Sequence, residues 1–405
     1  MLRWIIFIGI LLIADFYAFQ SFKTVVKSKI GLWIYWLVSL AIIANVIYQI
    51  ETSDRSSGMP QSLMLSFGLV ILSFVPKLFM LLFMFGEDIG RIFKMSFNFF
   101  KGEGVSIPSR RGFIGKLALG VAAIPFASIL YGMTRGKYNY QIVKHTLFFD
   151  DLPAAFDGFK LTQISDVHSG SFDNTEKIAH GMDLINEQES DVILFTGDIV
   201  NNVASEMDEW IPYFNKLKAK QGKYSVLGNH DYGEYVRFNS AAEKEQNFQA
   251  IKDIHPKIGF NLLLNDSVYL ERGKDKIALV GVENWGTRFK KAGDLQKASS
   301  KLQKDDFKIL MSHDPSHWES EVKQHQDKFH LTLSGHTHGM QFGIEIPGFK
   351  WSPVQYVYEK WAGMYEEFGR YINVNRGFGF LAFPGRVGIW PEITVITLKK
   401  KKQTA

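Results

Sequence analysis

The chain contains no cysteine. That excludes disulfides and thiolate metal ligands, so any transition metal must be held by nitrogen and oxygen donors, although the redox compartment stays open. A strongly basic binding face is also missing. The formal net charge is +5 over 405 residues, and Lys and Arg gather around the N-terminal apolar segments while the remainder is near balance. Arg288, Lys290 and Lys291 beside Trp285 and Phe289 make too short a run for the aromatic-laced groove of a nucleic-acid binder, and read as a solvated loop. No nucleic acid is expected as a partner. There is no internal repeat and no low-complexity tract.

Charge is scarce in four stretches of the first third, at 4–22, 30–50, 63–85 and 113–131. Each is long enough, or nearly so, to cross a hydrocarbon core of about 30 Å at about 1.5 Å per residue. They predict an all-α, four-helix transmembrane domain over 1–136, with the lipid bilayer as partner. Asp15 interrupts the first stretch, and Pro76 with Lys77 the third. Charges inside spans either pair with each other or lie near bundle ends, and the second arrangement is expected here. The first connection carries Lys23, Lys27 and Lys29, the second only Arg55 beside Glu51 and Asp54, and the third Arg91, Lys94, Lys101, Arg110, Arg111 and Lys116. The positive-inside rule puts the first and third connections in the cytoplasm. Everything after Tyr131 then faces the periplasmic or extracytoplasmic side, here of a bacterial inner membrane. Ser109-Arg110-Arg111-Gly112-Phe113 resembles a twin-arginine export signal in an unusual internal position. Residues 137–156 are expected to form a juxtamembrane linker.

From 157 to 400 the pattern changes. Short apolar runs (Phe159–Ile164, Val192–Phe195, Tyr224–Leu227, Ile277–Val280, Lys308–Met311 and Leu331–Leu333) alternate with segments of helical spacing such as 173–187. This predicts an α/β layered domain with more than one sheet. Polar, metal-competent residues follow the runs: Asp166 and His168, Asp198, Asn229 and His230, His313, and His336 and His338. Strand C-termini are where open α/β sheets build their sites. Singly, Asp-x-His or Gly-Asp is usually a turn or a cap. Together, and in this order, they point to two metal ions, of which a carboxylate such as Asp198 would be the natural bridge.

Asp166-x-His168, Gly197-Asp198, Gly228-Asn229-His230-Asp231, His313 and Gly335-His336-x-His338 resemble the five blocks of the calcineurin-like metallophosphoesterases. Val374–Gly379 through Phe383–Arg386 to Pro391–Ile393 is similar to the C-terminal pattern of the bacterial membrane-associated subgroup. The resemblance covers about Asp157 to Leu398. It implies a metallo-dependent phosphatase fold, an α/β domain of two packed mixed β-sheets flanked by helices. It also implies two divalent ions (Mn, Fe, Zn or Co), one bound by Asp166, His168, Asp198 and His338, the other by Asp198, Asn229, His313 and His336. A metal-bridging hydroxide would attack phosphorus in a phosphate mono- or diester, with His230 at the leaving oxygen and Asp231 orienting it. Arg386 is the candidate for a substrate phosphate. The expected substrate is a phosphorylated small molecule or a lipid headgroup. Two alternatives stand beside it: a lipid-linked pyrophosphate, as in UDP-diacylglucosamine hydrolysis, or a non-catalytic membrane sensor or scaffold. The chain departs from the family pattern at Gly339-Met340-Gln341, Ile199-Val200-Asn201 and Gly281-Val282-Glu283-Asn284, none of which removes an expected ligand.

Overall fold

A computed structural model describes residues 2–54, 58–101 and 111–401. The chain divides into two compact units, Met1–Ser53 with Gln61–Thr134, and Asp54–Pro60 with Arg135–Ala405. The first consists of α1 (Leu2–Val25), α2 (Lys29–Thr52), α3 (Gln61–Lys101) and α4 (Arg111–Thr134). All four are long and apolar enough to cross a membrane. Helix α2 starts where the Ser28 hydroxyl accepts from the Gly31 amide.

Two expectations change here. Helix α3 runs 41 residues, well past 85. Beyond Gly86 charges return and hydropathy stops marking a span, yet no proline intervenes. Glu87 and Arg91 pair one turn apart among outward-facing Ile92, Phe93 and Phe97. Asp15 and Lys77, expected near bundle ends, are buried and paired at 2.6 Å. Ser39 donates to Asp15 at 2.6 Å, Lys77 donates to Ser39 at 2.9 Å, and the Tyr35 hydroxyl donates to Asp15. Burial inside a bundle makes any unpaired charge costly, which favours this closed network. Ser109 and Arg110 of the twin-arginine-like motif lie outside the described residues. Arg111 opens α4 and pairs with Asp88 at 2.7 Å.

The second unit holds two six-stranded sheets and a hairpin. The first sheet comprises β1 (Gln141–Phe149), β2 (Lys160–Ile164), β3 (Val192–Phe195), β4 (Lys223–Ser225), β5 (Asn261–Leu262) and β14 (Glu392–Lys400), in the order β1-β14-β2-β3-β4-β5. The second comprises β6 (Asp266–Arg272), β7 (Asp275–Gly281), β8 (Lys308–Met311), β9 (Leu331–Ser334), β12 (Gly363–Glu367) and β13 (Arg370–Val374), in the order β12-β13-β9-β8-β7-β6. The hairpin is β10 (Ile344–Ile346) with β11 (Phe349–Trp351). The expected linker is therefore partly strand: β1 pairs in parallel with β14 from Gln141–Glu392 to Phe149–Lys400. Its residues alternate between exposed and covered positions, a period-2 pattern that a nearby membrane span obscures.

Leu161, Val192, Leu194 and Leu398 of the first sheet meet Leu279, Ile309, Met311, Leu331 and Leu333 of the second in one core. Each such side chain contributes roughly 1.5–3 kcal/mol by leaving water. All four residues of β3, β8 and β9 are buried, because both faces are covered. Helices α5 (Thr175–Asn186) and α6 (Ala241–Lys257) start at Asn174 and Ser240, whose side chains accept from Lys177 and Glu243 amides.

Candidate metal centre

Strands β2, β3 and β4 run parallel to one another, as do β7, β8 and β9. Loops leaving their C-terminal ends carry Asp166 and His168 (after β2), Asp198 (after β3), Asn229 and His230 (after β4), His313 (after β8), and His336 and His338 (after β9). The chain must turn sharply there. Asp166, His168, Asp198, His336 and His338 all have φ between 48° and 71°, a region most side chains avoid. Non-glycine residues held this way cluster at functional sites because the surrounding fold over-determines them. The motif glycines supply clearance. A Cβ on Gly228 would come within 2.1 Å of Asp198 Oδ1, and one on Gly335 within 2.1 Å of Asp166 Oδ2.

The side chains converge into two donor groups, Asp166–His168–His338 and Asp198–His313–His336, each able to hold a metal ion. His338 Nε2 lies 3.2 Å from Asp166 Oδ1. Asp198 Oδ2 lies 3.1 Å from His313 Nε2 and 3.6 Å from His168 Nε2, so one carboxylate oxygen stands between the groups. Asn229 Oδ1 is 2.8 Å from His336 Nδ1 and joins the second group. The groups behind the imidazoles select their tautomers. His313 Nδ1 donates to the Thr196 carbonyl at 2.7 Å, and His168 Nδ1 to Asn201 Oδ1 at 3.1 Å. Both leave Nε2 as a lone pair aimed inward. His336 presents Nδ1 inward, its Nε2 lying 2.8 Å from the Tyr358 hydroxyl.

This donor set fits cations. His168 Nε2 and His338 Nε2 are buried without a hydrogen-bond partner, and at His313 an acceptor nitrogen faces an acceptor carboxylate. Burial opposes a charge on His313, yet Asp198 outweighs it and pushes the imidazole up to about 10. Burial likewise works to raise the Asp198 carboxyl, but His313 and His230 hold it well below the usual carboxylate range. The pocket thus demands positive charge at that point, which a proton or a metal ion can meet.

His230 is only partly covered, its ring 4.4 Å from that of Tyr235. Burial lowers its pKa. Its Nδ1 donates to the Asn201 carbonyl at 2.8 Å. Asp231, expected to orient it, does something else. Its carboxylate accepts from the amides of Asp198, Ile199 and Gly228 at 2.8–2.9 Å, clamping the Asp198 loop to the Asn229 loop. Adjacent side chains on a tight turn diverge, and here the neighbour in sequence points away.

A family model described as "Calcineurin-like phosphoesterase" matches residues 159–340. Another, "Probable Calcineurin-like phosphoesterase, transmembrane domain", matches residues 2–137. The "Uncharacterized metallophosphoesterase YkuE" of Bacillus subtilis is 33% identical over 294 residues, covering 71% of this chain and 96% of that protein. The chain belongs to the calcineurin-like metallophosphoesterases. An "Uncharacterized metallophosphoesterase" of Helicobacter pylori is 25% identical with all of both chains covered. The "Phosphodiesterase YaeI" of Escherichia coli is 24% identical over 72% of this chain and 99% of that one.

Arg386 of this metallophosphoesterase is not where a substrate phosphate could meet it. The side chain is fully buried, and its Nε and Nη2 donate to the carbonyls of Gly379 and Arg376. Nη2 also lies 3.2 Å from His338 Nδ1, so the guanidinium braces the loop behind the ligand. Burial depresses its pKa to about 10. Other residues around the centre carry no motif signature: Asn201, Tyr235, Phe289 (ring 4.6 Å from His336), Asp314 and Tyr358. Of these, Asn201 had drawn notice as a departure from the family pattern, and Phe289, read as part of a solvated loop, instead packs against His336.

Proposed function

We propose that this metallophosphoesterase is a membrane-anchored hydrolase of phosphate mono- or diesters that works with two divalent ions. One would be held by Asp166, His168, Asp198 and His338, the other by Asp198, Asn229, His313 and His336. The observation that carries the reading is the position of Asp198 Oδ2 between His168 Nε2 and His313 Nε2. Ions there supply Lewis acidity, acidifying water towards neutrality and offsetting charge on phosphoryl oxygens. Nitrogen and oxygen donors suit Mn, Fe, Zn or Co. His230 has its Nδ1 proton committed to the Asn201 carbonyl, so only the imidazolium form, which burial opposes and Asp198 favours, would carry a second proton, at Nε2, to give to the leaving alkoxide. Tyr235, packed on that ring and half exposed, borders the space for the leaving group. The Lys and Arg asymmetry of the span connections supports an extracytoplasmic site.

The test is metal analysis beside hydrolysis of bis-p-nitrophenyl phosphate and p-nitrophenyl phosphate by the purified full-length chain. His230→Ala should slow turnover about 100- to 10,000-fold with metal content retained. Asp198→Ala should lose metal and turnover together. Full activity in H230A would remove the proton-donor role, and metal-free protein under metal-replete conditions would end the reading altogether.

A further inference from the structure

Among described residues 135–401, nine large apolar side chains are exposed, and six of them (Met340, Ile344, Ile346, Phe349, Tyr356 and Val357) fall between residues 340 and 357. This stretch begins two residues after His338 and ends one before Tyr358, which contacts His336. At its centre is the β10–β11 hairpin. Its register sets Ile344 against Trp351 and Ile346 against Phe349, so these four share a face, while Glu345 and Lys350 share the other.

The hairpin is inverted relative to a surface element in water. Its polar face is tied to the protein: Glu345 accepts from the largely buried Arg376, which also pairs with buried Glu392, and Lys350 donates to the Ala362 carbonyl and lies 4.9 Å from the Trp361 ring centre. Both faces are exposed, but while Glu345 and Lys350 are held to the protein by their head groups, the apolar face points out with Ile344, Ile346 and Phe349 exposed by 48%, 59% and 52%. The tip, Pro347-Gly348 with Gly348 at φ 80°, is a tight turn. The root is pinned by the Gly343 amide on the Val387 carbonyl and by the Ser352 hydroxyl on the Gly339 carbonyl, each within 2.9 Å. The outward apolar face is therefore built in by anchoring on both sides. Contiguous exposed apolar surface of this kind marks an interaction site.

We propose that this hairpin enters the interfacial layer of a lipid bilayer, and that the substrate is the phosphate ester of a membrane lipid presented from that surface. The occupant is argued from the chain itself. Four candidate spans precede the unit, and only six residues separate the end of α4 at Thr134 from β1 at Gln141. Such a tether reaches at most about 3.6 Å per residue, so bilayer is always close. Aliphatic side chains flanked by Trp351 and Tyr356 match what partitions into the interface. The substrate assignment rests on the phosphoesterase reading; the membrane contact does not.

The lack of native cysteine allows a direct test. Full-length Ile346→Cys, Phe349→Cys and, as control in the β6–β7 turn, Lys274→Cys each carry one thiol for an NBD label in nanodiscs. Nitroxide lipids should quench the labels at 346 and 349 at least about twofold more than at 274; equal quenching overturns the proposal. The paired substrates are dioleoyl phosphatidic acid and phosphatidylglycerol in the same nanodiscs, and water-soluble p-nitrophenyl phosphate. An I346S/F349S variant should lose roughly tenfold or more on the lipids and stay within about twofold on the soluble ester. An unchanged lipid rate overturns the proposal. So does conversion of a dimer to a monomer with no label quenching, which would assign the face to a second copy. Metal-loaded protein inactive on every ester, soluble ones included, would instead sink the phosphoesterase reading while the quenching result still decides the membrane contact.

Discussion

Asn201 serves the centre from one position with two groups. Its side-chain oxygen accepts from His168 Nδ1 and its carbonyl from His230 Nδ1, so it sets the tautomers of a ligand and of the proposed proton donor. Asn201→Ala keeps the carbonyl and removes the amide. Metal affinity should fall roughly 10- to 100-fold in a metal-buffer titration, with less effect on turnover at saturating metal. Glu206 holds the loop behind Asn201, accepting from the Asn201, Asn202 and Val203 amides. Burial pushes its carboxyl up to about 7. Because the folded pKa lies above the unfolded one, the unfolded chain loses this proton first, and stability falls as pH rises from about 4.5 to about 7. That loss, on the order of 3 kcal/mol, should shrink in Glu206→Gln when denaturation of metal-free protein is compared across the window. Among the donors, Asp198, Asn229, His336 and His338 were legible beside motif glycines, and Asp166, His168 and His313 because they follow buried apolar strands. The directions of Asp231 and Arg386 were not. Both side chains spend themselves on main-chain groups, and main-chain partners leave no trace in residue identity.

At the scale of elements, what was legible depended on how each is buried. β3, β8 and β9 are covered on both faces and read as unbroken apolar runs. β1 is half covered and alternates, so it passed for a linker. The spans announced themselves by length, but the far end of α3 is amphipathic and merged with polar sequence. The same helix carries Lys77, whose ammonium is enclosed by Asp15 and Ser39 and lies 4.2 Å from the Phe74 ring centre. Lys77→Met leaves the Asp15 carboxylate buried without a counter-charge, with only the Ser39 and Tyr35 hydroxyls on it, a change that costs about 3–5 kcal/mol. The detergent-solubilised protein should show that loss on thermal or denaturant unfolding. The double variant D15N/K77M should recover most of it, since an amide and a thioether need no counter-charge. Equal instability in the single and double variants would mean that the network matters for packing alone.

At the scale of the whole molecule, metal binding would couple to the fold, because the candidate donors are far apart in sequence. The proposed ligands come from five loops on two sheets, and no pair of neighbouring strands supplies a complete set. Cations bound to these loops would favour the folded second unit by about 2.7 kcal/mol at a hundredfold excess over Kd. Chelation should therefore lower its melting temperature, and metal return should restore it; an unchanged transition would show that the loops hold their shape unaided. The order of the first sheet has a further consequence. β14, formed by residues 392–400, lies between β1 and β2, the first two strands of the unit to be synthesised. Neither of those early strands can pair with this shared neighbour until residues 392–400 have been made. The first sheet therefore closes from both ends of the unit at once, and a chain cut before residue 392 would leave β1 without the neighbour it pairs with along its whole length.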